Sequence, residues 1–229
     1  MFTRYAVFYT PPPGSALCQF GASWLGWDSA AGQVAPHPSL DGVDVAGLTE
    51  TPRPYGFHGT LKPPFRLAEG ATEEELRLAL ADLAGTLAPV SLPGMSVQNL
   101  SGFVALRPEG DADALAALGA LAGATVQRLD AFRAPLNAAE LAKRRRVPLT
   151  ERQEAYLDAW GYPYVLEEFR YHMTLSGHVS AEEAAALIAV ITPLVVPTLP
   201  QPFLLDALTL LGEGEDGRFR QLHRYALTG

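Results

Sequence analysis

The chain has 229 residues, of which 48% are hydrophobic, so it can bury a sizeable core and is not disordered as a whole. Its formal net charge is -8 at pH 7, from 25 acidic and 17 basic residues. This charge argues against duplex DNA as a partner, because such binding depends on Lys and Arg neutralising phosphates. The single cysteine, Cys18, excludes an internal disulfide framework and fits a reducing cytosol.

The N-terminal segment is a short strand-like run with no signal-peptide core behind it. No stretch reaches the roughly 18 uninterrupted apolar residues expected of a membrane span. We therefore expect a soluble, cytoplasmic protein with no membrane partner. A small phosphate ligand in a local pocket is compatible with the acidic charge.

The first half of the chain predicts a strand, a helix and a long loop before a strand that carries a histidine motif. Prolines at 11–13 stop the opening strand, and Ser15 is a suitable helix N-cap residue. Thr72 and Glu75 later form a capping box ahead of leucines at helical spacing. In order, the predicted elements are a strand over 1–9, a helix from Ser15 to about Trp27, a loop over 28–54 with one short helical turn, the motif strand over 55–62, a helix from 72, a hairpin over 90–107 and a helix over about 111–129.

The second half repeats this order of elements. A motif strand over 169–175 is followed by a helix with the capping box Ser180–Glu183, and then by two strands over 203–211 and 218–227. Strand, capped helix and hairpin therefore occur twice, which predicts an internal duplication and two similar lobes.

Between the halves lies a connection that is partly helical. It contains the basic run Lys143 to Arg146, and Thr150 then begins a short helix that stops at Gly161. A basic run of this length is usually a solvated face, and recruitment of phosphate is the alternative.

Two His-x-Thr-Leu stretches are the main clue to function. They are His58–Leu61 and His172–Leu175, and their His, Thr and Leu residues match at a separation of 114 positions without a gap. In a strand, residues i and i+2 project from one face, so the His and Thr of each copy share a polar face opposite an apolar one. The other histidines, His37, His178 and His223, have no such context and are interpreted as structural.

The paired motifs contain the groups that phosphodiester hydrolysis needs. A histidine titrates near neutral pH, so one of the pair, His58 or His172, can serve as general base while the other serves as general acid. The hydroxyls of Thr60 and Thr174 can donate to the non-bridging phosphate oxygens. The residues by themselves do not decide which histidine has which role.

Three further residues are candidates for binding the substrate. Lys62 and Arg170 fall on the same predicted faces as the histidines and could neutralise a phosphate, although each could equally be a solvated charge at a strand end. Tyr55 could stack on a base or a sugar, although aromatic residues beside strands more often belong to the core.

Other chemistries and other classes of function are alternatives to hydrolysis by two histidines. Zinc bound by His58 and His172 lacks a third ligand, because no Asp or Glu accompanies either motif on its strand. A Ser-His-Asp hydrolase is disfavoured because no G-x-S-x-G sequence occurs. We expect no metal and no cofactor. The non-catalytic alternatives are a module that binds a nucleotide or an RNA end without turnover, and an interaction protein with vestigial motifs.

The sequence around the motifs resembles the two-histidine (2H) phosphoesterase superfamily, which includes bacterial 2′-5′ RNA ligase-like proteins and cyclic nucleotide phosphodiesterases. Within it, the longer strings look like an uncharacterised bacterial branch that carries the label phosphonate metabolism protein. The resemblance extends from Arg4 to Leu227. The strings that carry it are RPYGFHGTLKPPF at 53–65, WGYPYV at 160–165, FRYHMTL at 169–175 and the opening RYAVF followed by PPPGS.

This resemblance implies a metal-independent phosphodiesterase that hydrolyses a cyclic phosphate (a 2′,3′-cyclic or ribose cyclic phosphate) or a 2′-5′ phosphodiester. His58 and His172 would be the acid-base pair, and Thr60 and Thr174 would bind the phosphate. The expected partner is a small phosphodiester or nucleotide substrate, RNA ends included, and the pathway would be phosphonate metabolism.

The expected fold class is α+β, as a single domain with two pseudo-symmetric lobes. Each lobe would be an antiparallel sheet backed by helices, and the two histidine faces would meet in a central cleft. We assign lobe one to about residues 30–130 plus linker helices over 131–161. We assign lobe two to about residues 162–229, with the N-terminal strand and helix, 1–29, packed across it.

Overall fold

The computed structural model describes residues 2–229 and has a mixed architecture of helices and antiparallel strands. The strands are β1 (Tyr5–Tyr9), β2 (Trp27–Asp28), β3 (Gln33–Val34), β4 (Gly59–Phe65), β5 (Val90–Leu92), β6 (Gly94–Asn99), β7 (Val104–Glu109), β8 (Met173–Thr174), β9 (Phe203–Leu205), β10 (Ala207–Glu213) and β11 (Phe219–Ala226). The helices are α1 (Ala16–Leu25), α2 (Val45–Leu48), α3 (Glu73–Gly85), α4 (Ala112–Arg128), α5 (Ala138–Arg144), α6 (Glu151–Trp160) and α7 (Ala181–Val195). The predicted α+β class is confirmed.

The helices begin and end where local signals in the sequence place them. Thr72 accepts from the Glu75 backbone N–H while the Glu75 carboxylate accepts from Thr72, and Ser180 and Glu183 form the same reciprocal box. Helix α1 begins after Ser15 as expected but ends at Leu25, earlier than the expected Trp27. Gly26 adopts a left-handed φ of 75° there, a conformation that terminates helices and that glycine adopts without steric cost.

The main sheet has seven strands in the order β11-β10-β1-β4-β8-β7-β6, and all its pairings are antiparallel. The two motif strands, β4 and β8, are neighbours at its centre. Strand, helix and hairpin occur twice, as predicted, with one further short strand in each copy. These extra strands, β5 and β9, pair with each other outside the main sheet.

The lobe boundaries expected from the sequence need correction, because the hairpins are exchanged between the halves. The β6–β7 hairpin, which follows the first motif in the chain, lies beside the second motif strand, β8. The β10–β11 hairpin, which follows the second motif, lies on the side of the first motif strand, and β1 is inserted between β10 and β4. A split into about 30–130 and 162–229 therefore separates strands that are hydrogen-bonded to each other.

One face of the sheet is buried under helices and the other carries the motifs. The large core cluster joins apolar residues of α1, α3, α4 and α7 to alternate strand residues such as Val7, Leu61 and Met173. A smaller cluster on the opposite face contains Phe8 and Phe219. The sheet thus has one face covered by helices, and its other face carries the histidine motifs beside this smaller buried cluster.

Helix α7 is also the one segment in the described part of the chain that could cross a membrane by length and composition. The apolar window runs from Ala181 to Thr198 and includes Glu182 and Glu183. Its residues Leu187 and Ile191 are buried in the core cluster, as expected for a helix that covers a sheet.

Candidate functional site

The two motifs meet where β4 pairs with β8. Gly59 lies opposite Met173 in this antiparallel ladder, so continuing the register places His58 opposite Thr174 and Thr60 opposite His172. Directly opposite side chains of antiparallel strands have Cβ atoms about 4.5–5.5 Å apart and point to the same face. The two His-Thr pairs therefore form one four-residue cluster on the face of the sheet opposite the helices.

The residue between His58 and Thr60 must be small for this junction to form. A Cβ atom on Gly59 would lie 2.3 Å from the Tyr171 hydroxyl oxygen and 2.4 Å from its ring carbon Cζ, well inside contact distance. Tyr171 is buried in the core cluster, and its ring lies against Gly59 on the face opposite the histidines. Gly59 therefore permits the close approach of the two halves.

Both imidazoles are held in the same orientation by the backbone. Nδ1 of His58 lies 2.8 Å from the Gly56 carbonyl oxygen, and Nδ1 of His172 lies 2.7 Å from the Arg170 carbonyl oxygen. Because a carbonyl oxygen only accepts, each Nδ1 carries a hydrogen, and each neutral ring keeps Nε2 as its basic nitrogen. The Thr60 hydroxyl lies 3.1 Å from Nε2 of His58 and can donate to it.

His58 lies in an apolar environment. Its ring stacks on Phe8 with centroids 3.8 Å apart and planes 21° apart. Burial lowers the pKa of His58 to about 4; the bond to Gly56 acts in the opposite direction, and His172 lowers the value further. His58 is therefore neutral at pH 7 and can accept a proton.

His172 has different neighbours. Its ring centroid lies 5.4 Å from that of Phe103, and Arg107 of β7 lies opposite it, one residue beyond the Leu106–Met173 pair. Burial lowers the pKa of His172, the hydrogen bond to the Arg170 carbonyl raises it, and the charge of Arg107 lowers it. Only the His172 side of the cluster thus has a cation directly across the ladder.

The structure places Lys62 on the wrong face for phosphate binding, so this prediction is corrected. Phe8 pairs with Thr60 but Val7 pairs with Lys62, so Leu61 is the extra residue of a β-bulge. The bulge reverses the alternation and turns Lys62 toward α4. There its ammonium donates to the Val126 carbonyl at 3.0 Å and pairs with Asp130 at 3.2 Å, with the side chain 1% exposed. Burial lowers the pKa of Lys62 to about 8 despite Asp130.

The other two predicted substrate-binding residues lie closer to the cluster. Arg170 is exposed and precedes His172, but its Nη1 donates to the backbone carbonyls of Glu167 and Phe169. Tyr55 lies 6.0 Å from His58 between ring centroids and stacks on Phe219 at 5.2 Å. Tyr55 is thus at the edge of the site, whereas Nη1 of Arg170 is bonded to nearby backbone carbonyls.

The basic run is largely engaged within the protein. Arg145 pairs with Glu154 and Asp158, and the Arg144 guanidinium lies 4.6 Å from the centroid of the Tyr162 ring. This arrangement agrees with the interpretation as a solvated, ion-paired face.

Arg107 and Phe8 are the site residues that sequence reasoning missed. Arg107 comes directly after the buried apolar residues Val104, Ala105 and Leu106. A charged residue at the end of a buried strand run indicates a candidate functional residue. The partner of β7, however, is more than 60 residues away in the chain, and no local pattern identifies it.

Within residues 2–229, no group of three or more His, Cys, Asp or Glu side chains is arranged to hold a metal ion. Two small clefts lie elsewhere, and neither is lined by His58 or His172. The first lies at the far end of β4 near Arg66 and Trp160.

The fold and the site define a class: an antiparallel α+β protein with two His-x-Thr motifs on neighbouring strands. The chain belongs to the family described as "Protein of unknown function (DUF1045)", whose model matches residues 60–220.

Two curated relatives have the same name, ribose 1,5-bisphosphate phosphokinase PhnN. The relative from Janthinobacterium sp. (strain Marseille) is 37% identical over 222 residues, covering 94% of this chain and 48% of its own length. The relative from Laribacter hongkongensis (strain HLHK9) is 35% identical over 221 residues, covering 96% and 51%. The chain thus spans about half the length of the curated relatives it matches.

Two solved structures resemble the chain over nearly its whole length. One is a crystal structure of E. coli LigT complexed with 3'-AMP, at 18% identity and a TM-score of 0.43, covering 100% of both chains. The other is a crystal structure of a phosphoesterase, at 16% identity and a TM-score of 0.40, covering 99% of both. At this level of similarity neither bears on the activity. The α+β fold class expected from the sequence is confirmed by the order of helices and antiparallel strands.

Proposed function

We propose that this protein is a metal-independent phosphodiesterase in which His58 and His172 act as an acid-base pair on a cyclic phosphate or a 2′-5′ phosphodiester. The observation that carries the proposal is the register at Gly59 and Met173, which puts both His-Thr pairs on one face of the sheet. Both imidazoles there have Nε2 as their basic nitrogen, and proton transfer at His58 requires the Thr60 hydroxyl to turn from Nε2 toward the phosphate.

In the proposed reaction, one neutral histidine accepts a proton from water at Nε2 while the water oxygen forms a bond to phosphorus. The bond from phosphorus to the leaving oxygen breaks, and the other histidine, protonated beforehand, gives its Nε2 proton to that oxygen. Thr60 and Thr174 donate hydrogen bonds to the non-bridging oxygens, where negative charge increases. A cyclic substrate yields one ring-opened phosphomonoester, and the initial protonation pattern is restored by proton exchange with solvent.

The names of the relatives support a ribose phosphate as the substrate. Their activity belongs to proteins of about twice this length. A P-loop kinase needs a G-x-x-x-x-G-K-[ST] sequence to hold its phosphates, and this chain contains none. We therefore propose that the matched half supplies the hydrolysis of a cyclic ribose phosphate, within phosphonate metabolism, and that phosphoryl transfer belongs to the other half of the relatives.

Phosphorus NMR on the purified protein, with chelator present, tests the proposal. The panel contains 2′,3′-cyclic nucleotides, ribose cyclic phosphates and a 2′-5′ dinucleotide. We expect ring opening or cleavage of at least one compound. Each of the variants His58→Ala and His172→Ala is expected to slow it by roughly 10²- to 10⁴-fold, the usual contribution of a general acid or base.

The exposed His178 provides a matched control, because His178→Ala removes an imidazole outside the cluster and should leave turnover unchanged. Turnover that needs an added metal, or that survives both substitutions in the cluster, would contradict the proposal. Ligand binding by the wild type without any product would instead favour a non-catalytic nucleotide or RNA-end binding module.

A further inference from the structure

Arg107 is a cation without a partner beside the histidine cluster. Its Nε is buried and makes no hydrogen bond within residues 2–229, and no carboxylate of this part of the chain pairs with its guanidinium. Salt bridges elsewhere in the described chain engage other arginines, such as Arg66, Arg133 and Arg220. A buried guanidinium donor without an acceptor is costly, so its presence on an open polar face needs an explanation.

The corresponding position in the other half has a satisfied polar group. Beside His58, one residue beyond the Tyr9–Gly59 pair, lies Thr10, whose hydroxyl is buried and lies 2.8 Å from the Thr209 hydroxyl. At this position the polar side chain of the first half thus has a partner within the protein, whereas in the second half the Nε donor of the Arg107 fork has none within residues 2–229.

The surroundings of Arg107 are polar and carry no negative charge on the adjacent strand. Ser96 of β6 lies opposite Arg107, and Gln98 lies opposite Ala105. The Gln98 amide donates to the Ser96 hydroxyl at 2.9 Å, so both side chains lie on this part of the face. Arginine donates in pairs to planar or tetrahedral anions, and phosphate is the anion that the proposed reaction brings to this face.

We propose that Arg107 binds a phosphate group of the substrate on the His172 side of the site. This inference rests on the proposed function for the identity of the ligand. The phosphate is either the diester that reacts or a second phosphate on the same molecule. In both cases the Arg107 guanidinium would donate charge-assisted hydrogen bonds to the phosphate oxygens. In either case Arg107 orients the substrate, because the His58 side has no equivalent cation at the matching position.

The test compares Arg107→Ala and Arg107→Lys with the control Arg128→Ala, which removes an exposed arginine at the end of α4. Binding of adenosine 3′-monophosphate and of inorganic phosphate is measured by calorimetry, independently of turnover. We expect Arg107→Ala to weaken at least one probe by roughly 10- to 100-fold, the usual scale of a lost charge-assisted hydrogen bond. Arg107→Lys should bind at an intermediate level and Arg128→Ala like the wild type.

Thermal unfolding without ligand separates a binding role from a structural one. Because the buried Nε of Arg107 has no hydrogen-bond partner within residues 2–229 that would be lost, Arg107→Ala should melt no lower than the wild type. A large drop in melting temperature with unchanged probe affinity would overturn the proposal. Absence of probe binding by the wild type would overturn it as well.

Turnover of two substrates identifies which phosphate is bound. Adenosine 2′,3′-cyclic phosphate is compared with the same compound carrying a 5′-phosphate. Equal loss of kcat/KM for both in Arg107→Ala supports contact with the diester, and loss confined to the 5′-phosphorylated compound supports a second phosphate. If the wild type binds the probes through Arg107 but turns nothing over, the catalytic proposal fails and this one stands. If kcat/KM and probe binding are both unaffected in Arg107→Ala, this proposal fails and the catalytic one stands.

Discussion

The two halves of the site have the same potentially reacting groups but different surroundings. Each half supplies a histidine held through Nδ1 by the carbonyl two residues earlier, and a threonine two residues later. Phe8 pairs with Thr60 in the first half, whereas Ala105 occupies the matching position beside Thr174 in the second. The first half is therefore closed and apolar, and the second is open and carries a free cation. Acid-base catalysis needs a similar imidazole in each half, which keeps the two motifs alike. The two ends of a substrate differ, so the residues that surround each motif can differ as well.

The substitution Gly59→Ala should have the largest effect, because it acts on the junction between the halves. The new Cβ would overlap the Tyr171 ring, so β4 and β8 must separate or the ring must move. Overpacking of this kind costs about 1–3 kcal/mol of stability, and a shift between the motifs should also abolish most turnover. Chemical denaturation and the phosphorus NMR assay measure the two effects.

Gly85→Ala is the matched control, because a Cβ at Gly85 meets no atom within 4 Å. It should leave activity unchanged and stability unchanged or slightly higher. If Gly59→Ala kept the stability and turnover of the wild type, the requirement for a small residue at this junction would be wrong.

The pH dependence of kcat/KM should be the next largest effect. The reaction needs one histidine protonated and the other neutral in the free protein. The pKa of His58 is lowered to about 4, and that of His172 is lowered from its usual 6.5. His58 becomes protonated only near pH 4, and both histidines are neutral well above pH 6.5, so the optimum should lie between these limits. Beyond each limit kcat/KM should fall about tenfold per pH unit. An optimum above pH 7 would contradict catalysis by one protonated and one neutral histidine with these lowered pKa values.

Phe8→Leu should make the first half less enclosed, because the smaller side chain no longer covers the His58 ring. Removing the stacked ring admits water to His58, so its pKa should rise from about 4 toward 6.5 in an NMR titration of the imidazole. The stability cost should be about 1–2 kcal/mol.

Phe203→Leu provides the control, since Phe203 is equally buried but packs beside Tyr9 in the other core cluster. It should cost similar stability and leave the pKa of His58 unchanged. Equal pKa shifts in the two variants would indicate a general loosening of the fold and would argue against a specific effect of the stacked ring.

Tyr171→Phe should have the smallest effect. It should raise the stability of the protein without changing turnover. The Tyr171 hydroxyl is buried and has no hydrogen-bond partner within residues 2–229, so its removal should stabilise the protein by about 1 kcal/mol. Turnover should not change, because the hydroxyl lies on the face away from the histidines.

Tyr5→Phe gives the opposite case. The Tyr5 hydroxyl donates to Glu73 at 2.8 Å, so its loss should destabilise the protein by about 1 kcal/mol. Destabilisation by Tyr171→Phe would mean that its hydroxyl has an acceptor after all.

Features that depend on residues a few positions apart could be predicted from the sequence. The capping boxes at Thr72 and Ser180, the helix that stops at Gly161 and the turn at Ser101 are such features, because each is defined by hydrogen bonds or dihedral angles within one turn of chain. The duplicated order of elements could also be predicted, since it repeats these local signals.

Features that depend on distant pairing could not be predicted in the same way. The assignment of Lys62 to the histidine face assumed strict alternation, and the bulge at Leu61, which is visible only in the pairing with β1, reverses it. The expected lobes assumed that each motif keeps its own hairpin, whereas the hairpins are exchanged. Arg107 acquires its significance only because β7 pairs with β8.

The sequence by itself determined the identity of the acid-base candidates, the face that each His-Thr pair occupies within its own strand, and the caps that begin the helices. These follow from residue chemistry and from the two-residue period of a strand. The tertiary structure alone decided that the two motifs lie side by side, that Lys62 faces the core and that Arg107 faces His172. The reason is physical: strand register and bulges arise from hydrogen bonds between segments remote in the chain, and the alternation within one strand contains no information about its neighbours.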